Sequence, residues 1–413
     1  MRVEELRIDL HIEKVFIPIW KGRNFLLSNT SNLYILEFNY FYDGYLLEVK
    51  SMKKLIINGR FLTQRVTGVQ RFALEFVKAL DKLIEMDDIS LKLQFVIMAP
   101  RDIITDIKLN NIEVIPVGKL KGHLWEQLEL PFYSRGGLLV NLCNTGPLLK
   151  GKQIVTIHDA AVYSKPEGFT KMFVYWYKFL FRALSIIAHK IVTVSEFSKR
   201  ELAHYCCIKP NKIRVVSEGW QHIQQIDADL DVFQKHNISP KQYILAVSSL
   251  NPNKNFQGIV KAIECLGDVE TNIIIAGGTN PKVFSSSNGS LPNNVKYIGY
   301  VTDEELKALY EGAMGFIYPS FYEGFGLPPL EAMACGCPVI VSNAASLPEV
   351  CGDTALYVDP YSPEDIAEKI KLLLSDNKLR DELRRKGLER AKMFSWEKCA
   401  HETLKVIEEV LAK

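Results

Sequence analysis

The sequence predicts an α/β protein made of two doubly wound domains in tandem. Short apolar runs such as KLIING and LQFVIMA alternate with amphipathic helical patterns such as QRFALEFVKALDKL. Runs that are apolar throughout are typical of parallel strands covered on both faces. The alternation begins again after residue 240 with YILAVSS and TNIIIAGG, and 413 residues are too many for one ordinary core. We therefore expect two domains, each with its own parallel sheet.

The domain boundaries follow changes in this pattern. The first residues show only weak strand signals, including a hairpin signal at Asp43-Gly44, before MKKLIING begins at Met52. The stretch WQHIQQIDADLDVFQKHNISPKQ is polar and aperiodic, which is typical of a linker. A helical apolar period follows an N-cap at Ser395, so we expect a long helix that crosses back onto the first domain. The predicted units are an appendage at 1–51, a first domain at 52–220, a linker at 221–240, a second domain at 241–394 and a terminal helix at 395–413.

Composition and charge exclude several classes of protein. Hydrophobic residues make up 47% and charged residues 24% of the chain, as in ordinary globular proteins. The 50 basic and 48 acidic residues nearly cancel, so the charge does not support a nucleic-acid partner. The eight cysteines form no CxxC pair, which argues against a zinc ribbon or a disulfide framework and favours the cytoplasm. The charged N-terminus and the lack of long apolar runs predict neither a signal peptide nor a membrane span.

The stretch EGFGLPPLE at 323–331 has the most specific chemical pattern. It follows the apolar run GFIYPS and opens a helix, LPPLEAMACG, with proline in the first turn and Gly336 at the end. Loops between the carboxyl end of a strand and the amino end of a helix bind ligands, particularly anions. Glu323 and Glu331 add carboxylates that accept hydrogen bonds from paired hydroxyls. A nucleotide sugar has phosphates between two sugars, so we expect this class of ligand.

These residues resemble the signature of a known family. EGFGLPPLEAMACGCPVI is similar to the E-x7-E motif of retaining glycosyltransferases of the GT-B fold, the group 1 or family 4 type. The resemblance extends over 52–413 through TGVQRF, VTIHDAAVYSKPEGF, VTVSEFSKREL, SSLNPNKNF, IIAGG and IGYVTDEEL. It implies two Rossmann-like domains that face each other across a cleft. It also implies transfer of a sugar from a nucleoside-diphosphate sugar to a glycan or lipid-linked acceptor with retained configuration, in cell-surface or exopolysaccharide biosynthesis.

The resemblance also implies roles for individual residues. Glu331 would bind the nucleotide ribose, Glu323 the hydroxyls of the donor sugar, and Lys254 the diphosphate. Catalytic roles are expected for Glu323, Lys254 and His158, which would approach the sugar from the first domain. The predicted donor-binding residues are Gly68, Lys254, Tyr300, Val301, Glu323, Gly324, Phe325, Gly326, Leu327 and Glu331.

One departure from the family pattern concerns the diphosphate. Many members have an arginine close to the lysine, whereas this chain has SSLNPN before Lys254. We therefore expect the helix amino end at Leu327, or Arg65 or Arg71 from the first domain, to stabilise part of the negative charge. No side chain is an evident covalent nucleophile. The resemblance therefore implies front-face attack by the acceptor, with the leaving phosphate helping to take its proton.

Two sequence features allow more than one interpretation. Asp227-Ala228-Asp229 matches the DxD of metal-dependent transferases, but it lies in the polar linker. We interpret it as a solvated charge run, and we expect neither a metal nor another cofactor. The helical pattern at 171–190 predicts either a core helix of the first domain or a basic, aromatic surface helix at the inner face of the membrane.

The function also has alternatives. One is a different GT-B enzyme, such as a phosphorylase or an epimerase. Another is a degenerate subunit that binds a sugar nucleotide or a partner enzyme without catalysis. A dinucleotide oxidoreductase is disfavoured, because no predicted strand is followed by GxGxxG.

Overall fold

The structure is a computed structural model that describes most of the chain. It describes residues 53–86, 93–247, 251–267, 271–278 and 294–412 together with their side chains. For residues 20–21, 24–28, 33–41 and 44–51 it describes the backbone alone. The strand signal before residue 20, the turn residue Asp43, Met52 at the beginning of MKKLIING and the SSL of SSLNPN lie outside the described residues.

The described backbone before residue 52 forms an antiparallel sheet of four strands, in the order β1-β2-β3-β4. Its strands are β1 (Trp20–Lys21), β2 (Asn24–Ser28), β3 (Leu33–Phe41) and β4 (Gly44–Ser51). Phe41 pairs with Gly44, so β3 and β4 form a hairpin at the position that the sequence indicated.

The first domain contains a seven-stranded parallel sheet in the order β11-β10-β9-β8-β5-β6-β7. Its strands are β5 (Lys53–Asn58), β6 (Leu93–Ala99), β7 (Glu113–Pro116), β8 (Leu138–Asn141), β9 (Gln153–Thr156), β10 (Lys190–Thr193) and β11 (Ile213–Val215). Its helices are α1 (Gly68–Met86), α2 (Gly122–Leu124), a π-helical turn (Trp125–Glu129), α3 (Leu130–Tyr133), α4 (Ala161–Ser164), α5 (Lys171–Ile187) and α6 (Glu196–Tyr205). The strand order reverses between β5 and β8, so the switch point of this sheet lies there.

The second domain contains a six-stranded parallel sheet in the order β14-β13-β12-β15-β16-β17. Its strands are β12 (Tyr243–Val247), β13 (Asn272–Ala276), β14 (Val295–Gly299), β15 (Gly315–Tyr318), β16 (Val339–Ser342) and β17 (Ala355–Val358). The remaining helices are α7 (Gln221–Gln224), α8 (Asp231–Lys235), α9 (Phe256–Leu266), α10 (Asp303–Gly312), α11 (Leu327–Ala334), α12 (Leu347–Cys351), α13 (Pro363–Ser375), α14 (Asn377–Ala391) and α15 (Trp396–Leu411). The switch point lies between β12 and β15.

The terminal helix returns to the first domain, as the sequence predicts. Ser395 caps α15, since its hydroxyl accepts a hydrogen bond from the Lys398 amide at 3.0 Å. The helix packs against α1 and β10 of the first domain. At its end, Lys53 Nζ donates to the Leu411 carbonyl at 2.6 Å. The predicted fold of two Rossmann-like domains with a crossing terminal helix is therefore confirmed.

Two local expectations need refinement. The linker stretch that we expected to be aperiodic contains the short helices α7 and α8. Helix α5 has a core-facing side, where Val174 and Phe181 are buried, and an exposed side with Met172 and Tyr175. Among the described residues, no helix is both long enough and apolar enough to cross a membrane.

Candidate active site

The two domains enclose a cavity of about 380 Å³ at the switch point of the second sheet. Lys254 follows β12 and Glu323 follows β15, the two strands that flank this switch point. Ligands of open α/β sheets bind outside the carboxyl ends of such strands. The first domain closes the other side through the segment at Gly68 and through His158, which follows β9. The cavity is thus located where a ligand can contact both domains.

The predicted catalytic and donor-binding residues all meet in this cavity. They come from segments that are far apart in the chain, and the structure brings them to one surface. The predicted residues that line the cavity are Gly68, His158, Lys254, Tyr300, Val301, Glu323, Gly324, Phe325, Gly326, Leu327 and Glu331.

The loop between β15 and α11 is held in place through its carbonyl groups. Ser195 Oγ of the first domain donates to the Gly324 carbonyl at 2.6 Å. Ser346 Oγ of the second domain lies 2.9 Å from the carbonyl oxygen of Glu323 and 2.7 Å from that of Phe325. The C=O and N–H of a trans peptide point in opposite directions, so each following amide points away from its serine.

The amides of 324–327 are available to a ligand, since none of them donates a hydrogen bond to the residues that the structure describes. Gly326 enters α11 with φ of 112°, a conformation that glycine adopts without a steric penalty. Pro328 and Pro329 then follow in the first turn and have no N–H. The anion-binding capacity of this helix end therefore depends on the loop amides and Leu327.

Glycine is also required at 324 because the two domains approach each other there. A Cβ atom at this position would lie 2.7 Å from the His158 carbonyl oxygen and 2.9 Å from Asp159 Cβ. Beside this contact, the Ala160 amide donates to Tyr322 Oη at 3.1 Å. Further along, the Glu349 carboxylate accepts hydrogen bonds from amides at the start of α6. The loop is thus fixed between two domains rather than by its own domain alone.

Lys254 and Glu323 form an ion pair inside the cavity. Lys254 Nζ lies 2.7 Å and 2.9 Å from the two carboxylate oxygens of Glu323, and 2.5 Å from Tyr318 Oη. Burial alone would lower the pKa of Lys254, but Glu323 and Tyr318 raise it above its ordinary value. Burial and the Glu323 charge raise the pKa of the Tyr318 hydroxyl. Lys254 is therefore charged, and its charge is compensated by Glu323.

Glu331 is held by a chain of hydrogen bonds that connects three parts of the protein. His222 Nε2 lies 2.8 Å from Glu331 Oε1, and Tyr310 Oη donates to Oε2 at 3.2 Å. Trp396 Nε1 donates to His222 Nδ1 at 3.1 Å. An indole nitrogen can only donate, so His222 Nδ1 accepts and Nε2 has the hydrogen that Glu331 receives. The linker and the terminal helix together orient the predicted ribose-binding carboxylate.

His158 is buried at the edge of the cavity. Its Nε2 lies 3.0 Å from the Leu142 carbonyl, and its Nδ1 lies 3.5 Å from Glu218 Oε1. The ring packs edge-on against Phe72, with centroids 4.7 Å apart. Because Nε2 is already bonded to the main chain, Nδ1 beside Glu218 is the ring nitrogen without a main-chain partner.

The described lining of the cavity contains more acidic than basic side chains. The basic ones are Arg71 and Lys254, and Arg71 pairs with Asp303 across the cleft. Arg65 is exposed and does not line the cavity. Burial raises the pKa of the Asp159 carboxyl, because it disfavours the charged form of this group. The carboxyl groups that line the cavity are Asp159, Glu218, Asp303, Glu323 and Glu331.

Sequence reasoning missed the supporting residues of the site. Ser195 begins a helix in the quoted stretch VTVSEFSKREL, and its N-cap position was recognisable, but its bond to Gly324 spans 129 positions. The bond from His222 to Glu331 spans 109 positions and has no local signal.

The DxD match lies away from the cavity lining. Asp229 accepts a hydrogen bond from the Asp231 amide at 3.0 Å in a turn of the linker. Among the described residues, no three His, Cys, Asp or Glu side chains are grouped to hold a metal.

Comparisons with known proteins identify the family. Residues 229–390 match the family described as Glycosyl transferases group 1. The O-antigen chain mannosyltransferase B of Escherichia coli is 32% identical over 380 residues, which cover 85% of this chain and 98% of that protein. The O-antigen chain mannosyltransferase RfbU of Salmonella typhimurium is 27% identical over 330 residues, which cover 77% and 90%.

Solved structures show the same fold. The sucrose-phosphate synthase of Thermosynechococcus elongatus superposes with a TM-score of 0.68 at 18% identity, covering 87% of this chain and 99% of that chain. WaaG, a glycosyltransferase involved in lipopolysaccharide biosynthesis, superposes with a TM-score of 0.65 at 14% identity, covering 86% and 99%. With the sequence similarity over almost the whole of a mannosyltransferase, these comparisons show that the chain belongs to the group 1 glycosyltransferases and has their GT-B fold.

Proposed function

We propose that this glycosyltransferase moves a hexose, mannose in the first place, from a nucleoside-diphosphate sugar to a glycan or lipid-linked acceptor with retention of configuration. Mannose is favoured because the relatives described above are named mannosyltransferases. Their names refer to the O-antigen chain, which supports a role in the biosynthesis of a cell-surface polysaccharide.

One observation supports the proposal more than any other. Lys254, Glu323 and Glu331 and the free amides of 324–327 line one cavity between the domains. This arrangement offers amides and a cation to a diphosphate, and a carboxylate to the hydroxyls on each side of it. The combination fits a nucleotide sugar better than it fits a nucleotide or a sugar alone. It also disfavours a degenerate subunit, because each predicted catalytic side chain is present and oriented.

The charges suggest how the reaction proceeds. When the anomeric C–O bond breaks, positive charge grows on the sugar and negative charge on the leaving diphosphate. In the proposed mechanism Lys254 and the loop amides stabilise the diphosphate. Lys254 then exchanges part of its hydrogen bonding to Glu323 for hydrogen bonds to the diphosphate. The acceptor hydroxyl attacks from the face that the diphosphate leaves, and a phosphate oxygen accepts its proton. The new bond then forms on the same face as the broken one, which retains the configuration.

The excess of acidic side chains affects the donor site. We propose that the main-chain amides contribute most of the stabilisation of the diphosphate, because Lys254 and Arg71 both pair with carboxylates. No metal is expected to take part. Activity that EDTA abolishes and manganese restores would contradict this part of the proposal.

Thermal unfolding against nucleotides tests the proposed donor site. The purified protein is heated with UDP, GDP, dTDP or CMP, with EDTA present throughout. A ligand at 100 times its dissociation constant adds about 2.7 kcal/mol to the free energy of unfolding, which a melting curve resolves. We expect one nucleoside diphosphate to stabilise the protein more than the others. The absence of any effect would contradict a donor site in this cavity.

Retention is tested separately from donor binding. The anomeric configuration of the product is measured by NMR and compared with that of the donor. An inverted product would contradict front-face attack while leaving the transferase activity itself intact.

We also propose that α5 contacts the inner face of an anionic membrane. The helix has three basic residues and no acidic one, and Met172, Tyr175 and Phe179 are exposed by 57% or more. Basic and aromatic side chains on one exposed face are typical of helices that lie on lipid. Sedimentation with vesicles of increasing phosphatidylglycerol content tests this contact. Reversal of charge at Lys171 and Arg182 should reduce binding, and a wild type that never co-sediments would contradict it.

A further inference from the structure

A buried polar cluster lies at the switch point of the first sheet, outside the donor site described above. Asn58 ends β5 and Asn141 ends β8, and Asn58 Nδ2 donates to Asn141 Oδ1 at 2.9 Å. Arg60 and Glu126 lie beside them and form an ion pair at 3.2 Å, with both side chains buried. Ligands of open α/β sheets bind at such a switch point. The first domain therefore has polar groups where a second ligand would be expected.

The two carboxylate oxygens of Glu126 differ in their hydrogen bonds. Its Oε1 accepts hydrogen bonds from Asn58 at 2.8 Å, Arg60 at 3.2 Å and Thr145 at 2.8 Å. Its Oε2 is buried and has no hydrogen bond of good geometry to the described residues, although His123 Nδ1 lies 3.4 Å away. Burial alone would raise the pKa of Glu126, but the Arg60 guanidinium and the neighbouring donors hold it below its ordinary value. A charged oxygen therefore faces His123.

This charged oxygen determines which nitrogen of His123 is free. Glu126 Oε2 can only accept, so the 3.4 Å contact favours the tautomer of His123 with its ring hydrogen on Nδ1, in which Nε2 has a lone pair. The His123 side chain is 39% exposed, whereas Nδ1 is buried against Glu126. The imidazole therefore offers an oriented acceptor to a ligand hydroxyl.

Two aromatic rings stand beside this acceptor. The centroids of the Trp176 and Tyr177 rings lie 6.2 Å and 6.3 Å from that of His123, and both rings are steeply inclined to it. Trp176 is half-buried, so part of its surface remains accessible. An aromatic face beside a hydrogen-bond acceptor is suited to a sugar, which has an apolar ring face and hydroxyls at its edge.

The cluster borders the donor cavity. Cys143 follows β8, and its Sγ lies 3.6 Å from the carbonyl of Val69, which lines the cavity. The next residue, Asn144, accepts a hydrogen bond from the His158 amide at 2.7 Å through its side chain. Thr145 of the same segment donates to Glu126, so residues 143–145 connect the cluster to the wall of the cavity.

We propose that His123 and Trp176 bind a sugar unit of the acceptor, with Glu126 as the positioning residue for His123. The acceptor class is a glycan whose terminal hexose reaches the donor sugar in the cavity, and the proposal rests on the proposed transferase function. The bound hexose donates a hydroxyl hydrogen to His123 Nε2 and packs its apolar face against Trp176. A purely structural Arg60–Glu126 pair would not require a carboxylate oxygen that lacks a hydrogen bond and faces an exposed histidine.

Binding of glycosides to variants tests this site without an identified natural acceptor. The probes are p-nitrophenyl glycosides of mannose, glucose, galactose and N-acetylglucosamine, titrated by NMR in the presence of the stabilising nucleoside diphosphate. Loss of one hydrogen bond in His123→Ala should weaken the best probe about fivefold or more. Trp176→Ala should have a comparable effect, and Tyr361→Ala is the control because Tyr361 is an exposed aromatic residue outside α5 and outside the proposed sites.

Further variants separate a role in sugar binding from a role in folding. Trp176→Phe keeps a ring and should keep most of the affinity. Glu126→Gln removes the charge that faces His123 and should weaken the best probe without changing the affinity for the nucleotide; because the loss of the Arg60 partner also destabilises the protein, this variant is titrated at a temperature at which it is folded. For any glycoside that is also a substrate, His123→Ala should raise the KM for the acceptor and leave the affinity for the nucleotide unchanged. The folding of each variant is verified by its melting temperature.

The outcomes distinguish this proposal from the proposed function. If no glycoside binds the wild type, or if His123→Ala and Trp176→Ala bind as the wild type does, the acceptor site is wrong. If a glycoside binds at His123 but no nucleotide binds and no donor is consumed, the transferase function fails while a sugar site remains.

Discussion

Replacing Glu331 by glutamine tests the proposed nucleotide site at a single oxygen atom. In the structure Oε1 accepts from His222 at 2.8 Å and Oε2 accepts from Tyr310 at 3.2 Å. A carboxylate has about four lone-pair positions, so about two remain for a ligand. These two positions suit the neighbouring hydroxyls of a ribose.

The size of the effect follows from the groups that change. Glutamine keeps the oxygen that accepts from His222, and the Tyr310 hydroxyl can rotate to accept from the new amide. The change therefore leaves the protein network satisfied but removes one charged acceptor from the ribose. A hydrogen bond to a charged group contributes about 1.5–3 kcal/mol, so we expect the nucleotide to bind roughly 10- to 150-fold more weakly.

Isothermal titration with matched nucleotides isolates this contact. The wild type should prefer the ribonucleoside diphosphate over its 2′,3′-dideoxy form, and Glu331→Gln should lose most of this preference. Glu304→Gln, an exposed carboxylate on α10, is the control and should bind as the wild type does. If Glu331→Gln weakens both nucleotides equally, or neither, then Glu331 does not bind the ribose.

Three further substitutions test the surroundings of the site. Trp396→Phe removes the hydrogen bond to His222 Nδ1, so it should lower the free energy of unfolding by about 1–3 kcal/mol and weaken nucleotide binding. If urea unfolding and nucleotide titration both give wild-type values, the bonds from Trp396 through His222 do not support Glu331. Glu126→Gln leaves the buried charge of Arg60 without its partner, so it should destabilise the protein by about 3–5 kcal/mol, measured by urea unfolding. A loss below about 1 kcal/mol would show that the ion pair does not contribute to stability. Gly324→Ala places a Cβ 2.7 Å from a carbonyl of the first domain, so kcat should fall far more than nucleotide affinity, and a normal kcat would refute the close domain contact.

The sequence alone determined the parts of this protein that depend on neighbouring residues. Alternating apolar runs and helical periods predicted both sheets, because the period of a segment is a local property. EGFGLPPLE could be assigned to the turn between a strand and a helix because its glycines, prolines and glutamates are contiguous. Ser395 was recognisable as an N-cap for the same reason, since a cap bonds an amide only three positions later.

Only the tertiary structure decided what supports the site. Ser195 reaches Gly324 and His222 reaches Glu331 through the packing of two domains and a linker, and no periodicity within one segment encodes such contacts. Helix α5 shows the same limit, because its pattern left open whether it is a core helix or a surface helix, and only the packing shows that Val174 and Phe181 are buried. The pairing of Lys254 with Glu323 likewise depends on two strands, β12 and β15, that are adjacent in the sheet but distant in the chain. Local chemistry pointed to the EGFGLPPLE loop, the family resemblance implied the other candidate residues, and long-range packing determined which partners they have.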